Sequence, residues 1–113
     1  MDLEKILFQP SEYPEALCND GTSAGYYYVE GSHPGRAIIF LMGGGLCYDS
    51  KSCAERPDYL KSNKYWENSK HMSEGVFNRD CNINPYFCNA SIMFVPYCSS
   101  DSWVGDRDAS DDT

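Results

Sequence analysis

The chain has 113 residues, of which 42% are hydrophobic, 14% aromatic and 23% charged, the make-up of one ordinary globular domain rather than a disordered, collagenous or repetitive chain. Nine Lys plus Arg against seventeen Asp plus Glu leave a formal charge of -8, which repels phosphate backbones and argues against nucleic acid as a partner. The longest strongly apolar run, Ala37 to Met42, is far short of the roughly 20 residues a bilayer-spanning helix requires, so no membrane span is expected.

The N-terminus opens acidic and carries only a short apolar patch, Ile6-Leu7-Phe8, where a secretory leader has a basic start and about 7 to 15 apolar residues. Six cysteines (Cys18, Cys47, Cys53, Cys81, Cys88, Cys98) point the other way, to disulfides and an oxidising compartment. An extracellular or secretory-pathway location is therefore expected, with the leader outside the given chain. A metal is not: no C-x2-C pair exists, and His33 and His71 stand apart from each other. The spacing singles out one pairing, Cys47 with Cys53, which clips a short loop, and leaves the others open. Asn89-Ala90-Ser91 is a glycosylation sequon.

Cys18-Asn19-Asp20-Gly21 is turn chemistry. It runs into Gly21-Thr22-Ser23-Ala24-Gly25, a literal match to the G-x-S-x-G nucleophile elbow. That elbow needs a buried strand before it and a helix after it, to lift the serine above a sheet. Here a turn precedes it and a Tyr-rich strand, Gly25 to Glu30, follows, so the segment reads as a hairpin turn and Ser23 is not a nucleophile. After a second turn at Gly31 to Gly35, the run Arg36 to Met42 reads as a strand covered on both faces of an α/β sheet. It leads directly into Gly43-Gly44-Gly45. A triple glycine at the end of an apolar strand can bring backbone N–H groups close to a developing oxyanion, since glycine adopts conformations a Cβ forbids, and the same three residues read equally as a flexible turn.

From Cys47 to Cys88 the chain turns polar. Ser52 to Glu55 has capping-box spacing and predicts a short helix, Asp58 to Asn63 a second helical turn, and the stretch through Trp66, Met72, Val76 and Phe77 irregular structure. Asn89 to Val95 is the second buried strand, stopped by Pro96. Ser99 and Ser100 follow it without a helix behind them and read as hydrogen-bonding residues of a tight loop. Residues 106 to 113 form an acidic tail with Asp106, Asp108, Asp111 and Asp112. A hairpin followed by two apolar strands about fifty residues apart predicts the opening of an open mixed sheet, an incomplete α/β architecture.

Cys18-Asn19-Asp20-Gly21, Ala24-Gly25-Tyr26-Tyr27, Gly43-Gly44-Gly45, Asn84-Pro85-Tyr86 and the run Val95 to Gly105, in this order, resemble the N-terminal third of the pectin acetylesterase and Notum family. The resemblance runs from about residue 17 to 106. It implies that residues 1–113 are the N-terminal part of a single α/β-hydrolase-like domain. The implied activity is carboxylic ester hydrolysis by a Ser-Asp-His triad without a cofactor, on an acylated polysaccharide or an acylated protein. Carried over residue by residue, the resemblance places the oxyanion loop on Gly44 and Gly45. The family's nucleophile, acid and histidine lie on later segments, so the chain alone is expected to be inactive. Met42 and Leu46 depart from the acidic and aromatic residues usual on either side of the glycines. A different class also fits the six cysteines and nine tyrosines: a small secreted disulfide-stapled binding domain without catalysis.

Overall fold

The computed structural model describes residues 2–105, and the acidic tail lies outside them. Its regular elements are β1 (Asp2–Leu7), β2 (Gly25–Val29), β3 (Ala37–Leu41), α1 (Ser50–Ala54), β4 (Ser69–His71) and β5 (Ser91–Val95), with 3₁₀ turns at Asp58–Leu60 and Gly75–Phe77. The chain divides into two compact units. One holds the chain up to Ile6, Tyr26–Leu41 and Glu67–Val95; the other holds Leu7–Gly25, Met42–Trp66 and the described residues from Pro96.

The first unit is a mixed five-stranded sheet in the order β3-β5-β2-β1-β4. β5 runs parallel to β3, with Ala37 opposite Ser91 and Leu41 opposite Val95, and antiparallel to β2, with Tyr27 opposite Phe94. Its sequence Ser-Ile-Met-Phe-Val alternates sides, and Ile92 and Phe94 are buried while Ser91, Met93 and Val95 are half-buried. The Phe94 ring stacks on Phe40 at 5.5 Å and meets Tyr27 edge-on at 6.3 Å, and Phe77 meets Phe40 edge-on at 5.6 Å. The Tyr27 hydroxyl donates to the Glu67 carbonyl over 2.6 Å. Burial, and then the nearby Glu67 charge, raise the pKa of that phenol. The Cys81–Cys88 disulfide lies in this unit.

Three local expectations change. The apolar run of β3 is an edge strand, not one covered on both faces: Ile39 is 66% exposed, and Phe40 and Leu41 are exposed with it. The polar stretch after Trp66 contains β4, paired antiparallel with β1 from Asp2–His71 to Glu4–Ser69. The helix begins three residues earlier than the Ser52 spacing indicates, because Asp49 rather than Ser52 is the N-cap: its carboxylate accepts from the Ser52 N–H, and the Ser52 hydroxyl accepts from the Asp49 N–H. The bonds from the Ser52 N–H and then the Ser52 hydroxyl hold the Asp49 carboxyl below its ordinary pKa.

Candidate active site

The triple glycine lies in the second unit, where two disulfides shape its surroundings. Cys18–Cys98 ties the turn after Leu17 to the segment that follows β5, and Cys47–Cys53 ties the residue two after Gly45 to α1. Asn19 strengthens the first tie through its N–H to the Cys98 carbonyl and its amide nitrogen to the Ser99 carbonyl. A bridge between Leu46 and Asp101, with the Cys47 N–H donating to the Ser100 carbonyl, sets the glycine loop against the 98–105 segment.

Side chains then fix the loop's carbonyls one by one. Trp103 Nε1 donates to the Met42 carbonyl over 3.2 Å, Arg56 Nη1 donates to the Gly44 carbonyl over 2.7 Å, and the Tyr97 hydroxyl donates to the Gly45 carbonyl. The chain has no cis peptide bond among the described residues, so each fixed carbonyl points the next residue's N–H in the opposite direction within the same peptide plane. The N–H of Gly45 thus points away from Arg56, and that of Leu46 away from Tyr97. Neither the Gly44 nor the Gly45 N–H meets an intramolecular acceptor among the described residues, and both glycines are exposed. Loop carbonyls turned in and N–H groups left free make an arrangement able to hydrogen-bond an anion.

Glycine is required at both positions. Gly45 has φ +75°, and a Cβ on Gly44 at φ +153° would come within 2.8 Å of Leu60 Cδ2 and 3.2 Å of Tyr97. The residues that hold the loop are themselves strained, since Ser100, Ser102 and Trp103 all have φ between +54° and +64°. Asp101 stabilises that turn: its carboxylate accepts from Ser99 Oγ, the Trp103 N–H and the Gly105 N–H. Tyr97, 2% exposed, accepts from the Ser102 N–H and packs its ring 5.1 Å from Trp103.

Both serines that follow β5 are engaged in this arrangement. Ser100, 1% exposed, donates to Asn19 Oδ1 and accepts from Arg56 Nε, while Ser99 is committed to Asp101. Their partners are chiefly side chains. Ser23 sits in a bridge with Leu17 across the Gly21 turn, and its carbonyl accepts from Asn63. Each imidazole is engaged elsewhere, His33 with the Gly35 N–H and His71 with Asp2. No group of three or more metal-ligating side chains occurs among the described residues. The sequence singled out the glycines but not Arg56, Tyr97 or Trp103. The last two lie in the motif run from Val95 to Gly105 and were within reach; Arg56 carries no local signal.

Residues 2–113 match the pectinacetylesterase family model. A Xenopus laevis palmitoleoyl-protein carboxylesterase, notum2, is 44% identical over 91 residues, which are 78% of this chain and 18% of that protein. A zebrafish relative named inactive palmitoleoyl-protein carboxylesterase notum1b is 37% identical over 97 residues, 83% of this chain and 69% of that protein. The crystal structure of the Drosophila Wnt deacylase Notum superposes with a TM-score of 0.83 at 32% identity, over 95% of this chain and 31% of that one. This chain thus spans under a fifth of the Xenopus carboxylesterase and about a third of the Drosophila structure. It belongs to the pectinacetylesterase and Notum family of carboxylesterases, with the family's α/β-hydrolase-like mixed sheet.

Proposed function

We propose that this chain supplies the oxyanion-binding part of a secreted carboxylic ester hydrolase that removes acyl groups from a polysaccharide or a protein. In that reaction an activated serine attacks the ester carbonyl, and the Gly44 and Gly45 N–H groups stabilise the negative charge that develops on its oxygen. The observation that carries the reading is the Arg56 bond to the Gly44 carbonyl, which turns the Gly45 N–H away from Arg56, where it meets no acceptor among the described residues. Three disulfides, with no free cysteine among the described residues, support an extracellular setting. The triad belongs to segments other than this one, so the chain by itself has an electrostatic site and nothing to generate the charge.

The test is a chimera in which residues 2–105 replace the matching segment of the Drosophila Notum structure. A chimera that hydrolyses an aryl acetate, and loses about 100-fold or more in kcat when a backbone ester replaces the Gly44–Gly45 amide and so removes the Gly45 N–H without adding a Cβ, fits a donor role for that N–H. A folded chimera with no activity sinks the reading. So does turnover by the isolated chain that vanishes on Ser23→Ala.

A non-catalytic secreted binding domain is the second reading, favoured by the zebrafish relative named inactive, most of whose length this chain covers. The bare edge of β3 weighs against it. Ile39, Phe40 and Leu41 leave an unpaired apolar strand that a self-sufficient monomer covers or blunts. Sedimentation separates the two: a concentration-independent monomer with one cooperative unfolding transition favours the binding domain. Self-association relieved by Ile39→Lys favours the hydrolase segment.

A further inference from the structure

We propose that Asn89 carries an N-linked glycan. Asn89-Ala90-Ser91 is the single N-x-Ser/Thr sequence with a non-proline middle residue in the 113 residues, so any such glycan has one place to go. The structure separates the backbone of this tripeptide from its acceptor side chain. The Cys88 and Ala90 carbonyls both accept from Arg79 Nη1, and the Asn89 carbonyl accepts from the His33 N–H. The Ser91 hydroxyl accepts from the Gly31 N–H over 3.0 Å, and Gly31 lies so close that a Cβ there would fall 2.2 Å from the Asn89 carbonyl oxygen. With these backbone carbonyls held, the Asn89 side chain is exposed, and its amide makes no hydrogen bond among the described residues. A sugar on Nδ2 therefore displaces no contact and leaves Ile92 and Phe94, in the strand that begins two residues later, undisturbed.

The donor is an oligosaccharide linked through its anomeric carbon to a polyprenyl pyrophosphate, as the secretory pathway provides. Asn89 Nδ2 forms a bond to the anomeric carbon and loses one proton. The bond from that carbon to the pyrophosphate oxygen breaks, and its electron pair leaves with the lipid pyrophosphate. The proposal rests on the secretory setting inferred above and not on ester chemistry.

The experiment expresses the full chain behind a cleavable leader in a eukaryotic host and takes the protein from the medium. Intact mass and peptide mapping of the wild type are expected to show one glycan on the peptide containing residue 89, released by peptide N-glycosidase with conversion of that residue to Asp. Asn89→Gln and Ser91→Ala lose the glycan entirely, and Ser91→Thr keeps it. Secreted wild-type protein with the mass of the bare polypeptide overturns the proposal while leaving secretion intact, as does a glycan that survives Asn89→Gln. The wild-type map decides the matter even if a variant fails to reach the medium.

Discussion

Arg56 donates from Nη1 to the carbonyl oxygen of Gly44 over 2.7 Å, and this contact sets which way the Gly44–Gly45 peptide faces. The same guanidinium donates from Nε to Ser100 Oγ over 3.0 Å, so one side chain spans the glycine loop and the strained turn after β5. Replacing it with Met removes both bonds at once. Stability is expected to fall by about 1 to 3 kcal/mol, the range for hydrogen bonds to a charged group, in urea unfolding with an unchanged slope. Arg56→Lys recovers less than half of this, because an ammonium cannot reproduce the two-sided fork. Combined with Ser100→Ala, Arg56→Met should show a coupling above about 0.5 kcal/mol; strict additivity means the two residues do not act together.

The three glycines are not equivalent. A Cβ on Gly43 meets nothing within 4 Å, whereas one on Gly44 meets Leu60 Cδ2 at 2.8 Å. Leu60 is buried and cannot move freely. Gly43→Ala is expected to stay within about 0.5 kcal/mol of the wild type, while Gly44→Ala costs about 1 to 3 kcal/mol. Thermal unfolding of the two variants side by side checks this. Equal effects would place the constraint outside the Leu60 contact.

What the sequence revealed follows the range of the interactions. β5 was legible because its branched and aromatic residues are bounded by a turn and by Pro96, all local features, and the glycine loop because the glycines themselves carry the signal. β4 was not, since Ser69-Lys70-His71 has no strand pattern of its own and becomes a strand only by pairing with Asp2 to Glu4. The exposure of β3 was hidden for the opposite reason. An apolar run announces burial, but what packs on its two faces is not in the run, and in this chain consecutive residues on both faces of β3 are exposed. The groups that orient the loop reach it from 12, 52 and 61 residues away. None of those bonds leaves a periodic pattern in the residues around it.

The three disulfides should differ in worth by the loops they close. Cys18–Cys98 spans 80 residues and Cys47–Cys53 spans 6. On chain entropy alone these correspond to about 4.5 and about 2 kcal/mol. The Cys18→Ala/Cys98→Ala double variant is therefore expected to lose roughly twice as much stability as Cys47→Ala/Cys53→Ala, read from denaturant midpoints under non-reducing conditions. The reverse order would show that the short bridge acts through the folded glycine loop rather than through the unfolded chain.

Asp20 links the N-terminal turn to the segment after Leu60. Its carboxylate accepts from the Thr22 N–H and hydroxyl, and its N–H donates to the Lys61 carbonyl. Partial burial works to raise its pKa, but the hydroxyls of Ser62 and Thr22 and the nearby backbone N–H groups outweigh it and hold the carboxyl below its ordinary value. A carboxyl lowered in the folded state binds fewer protons there than in the unfolded chain. Its contribution is complete above the ordinary aspartate pKa of about 3.9 and disappears as pH falls through the lowered folded value. Asp49, lowered in the same direction, adds to the same acid limb. Asp20→Asn should therefore be less stable than the wild type at neutral pH, and the gap should narrow as acid is added below about pH 4. Denaturant midpoints from pH 7 down to pH 2.5 measure it, and a gap that stays constant through that range would mean Asp20 acts by shape and not by charge.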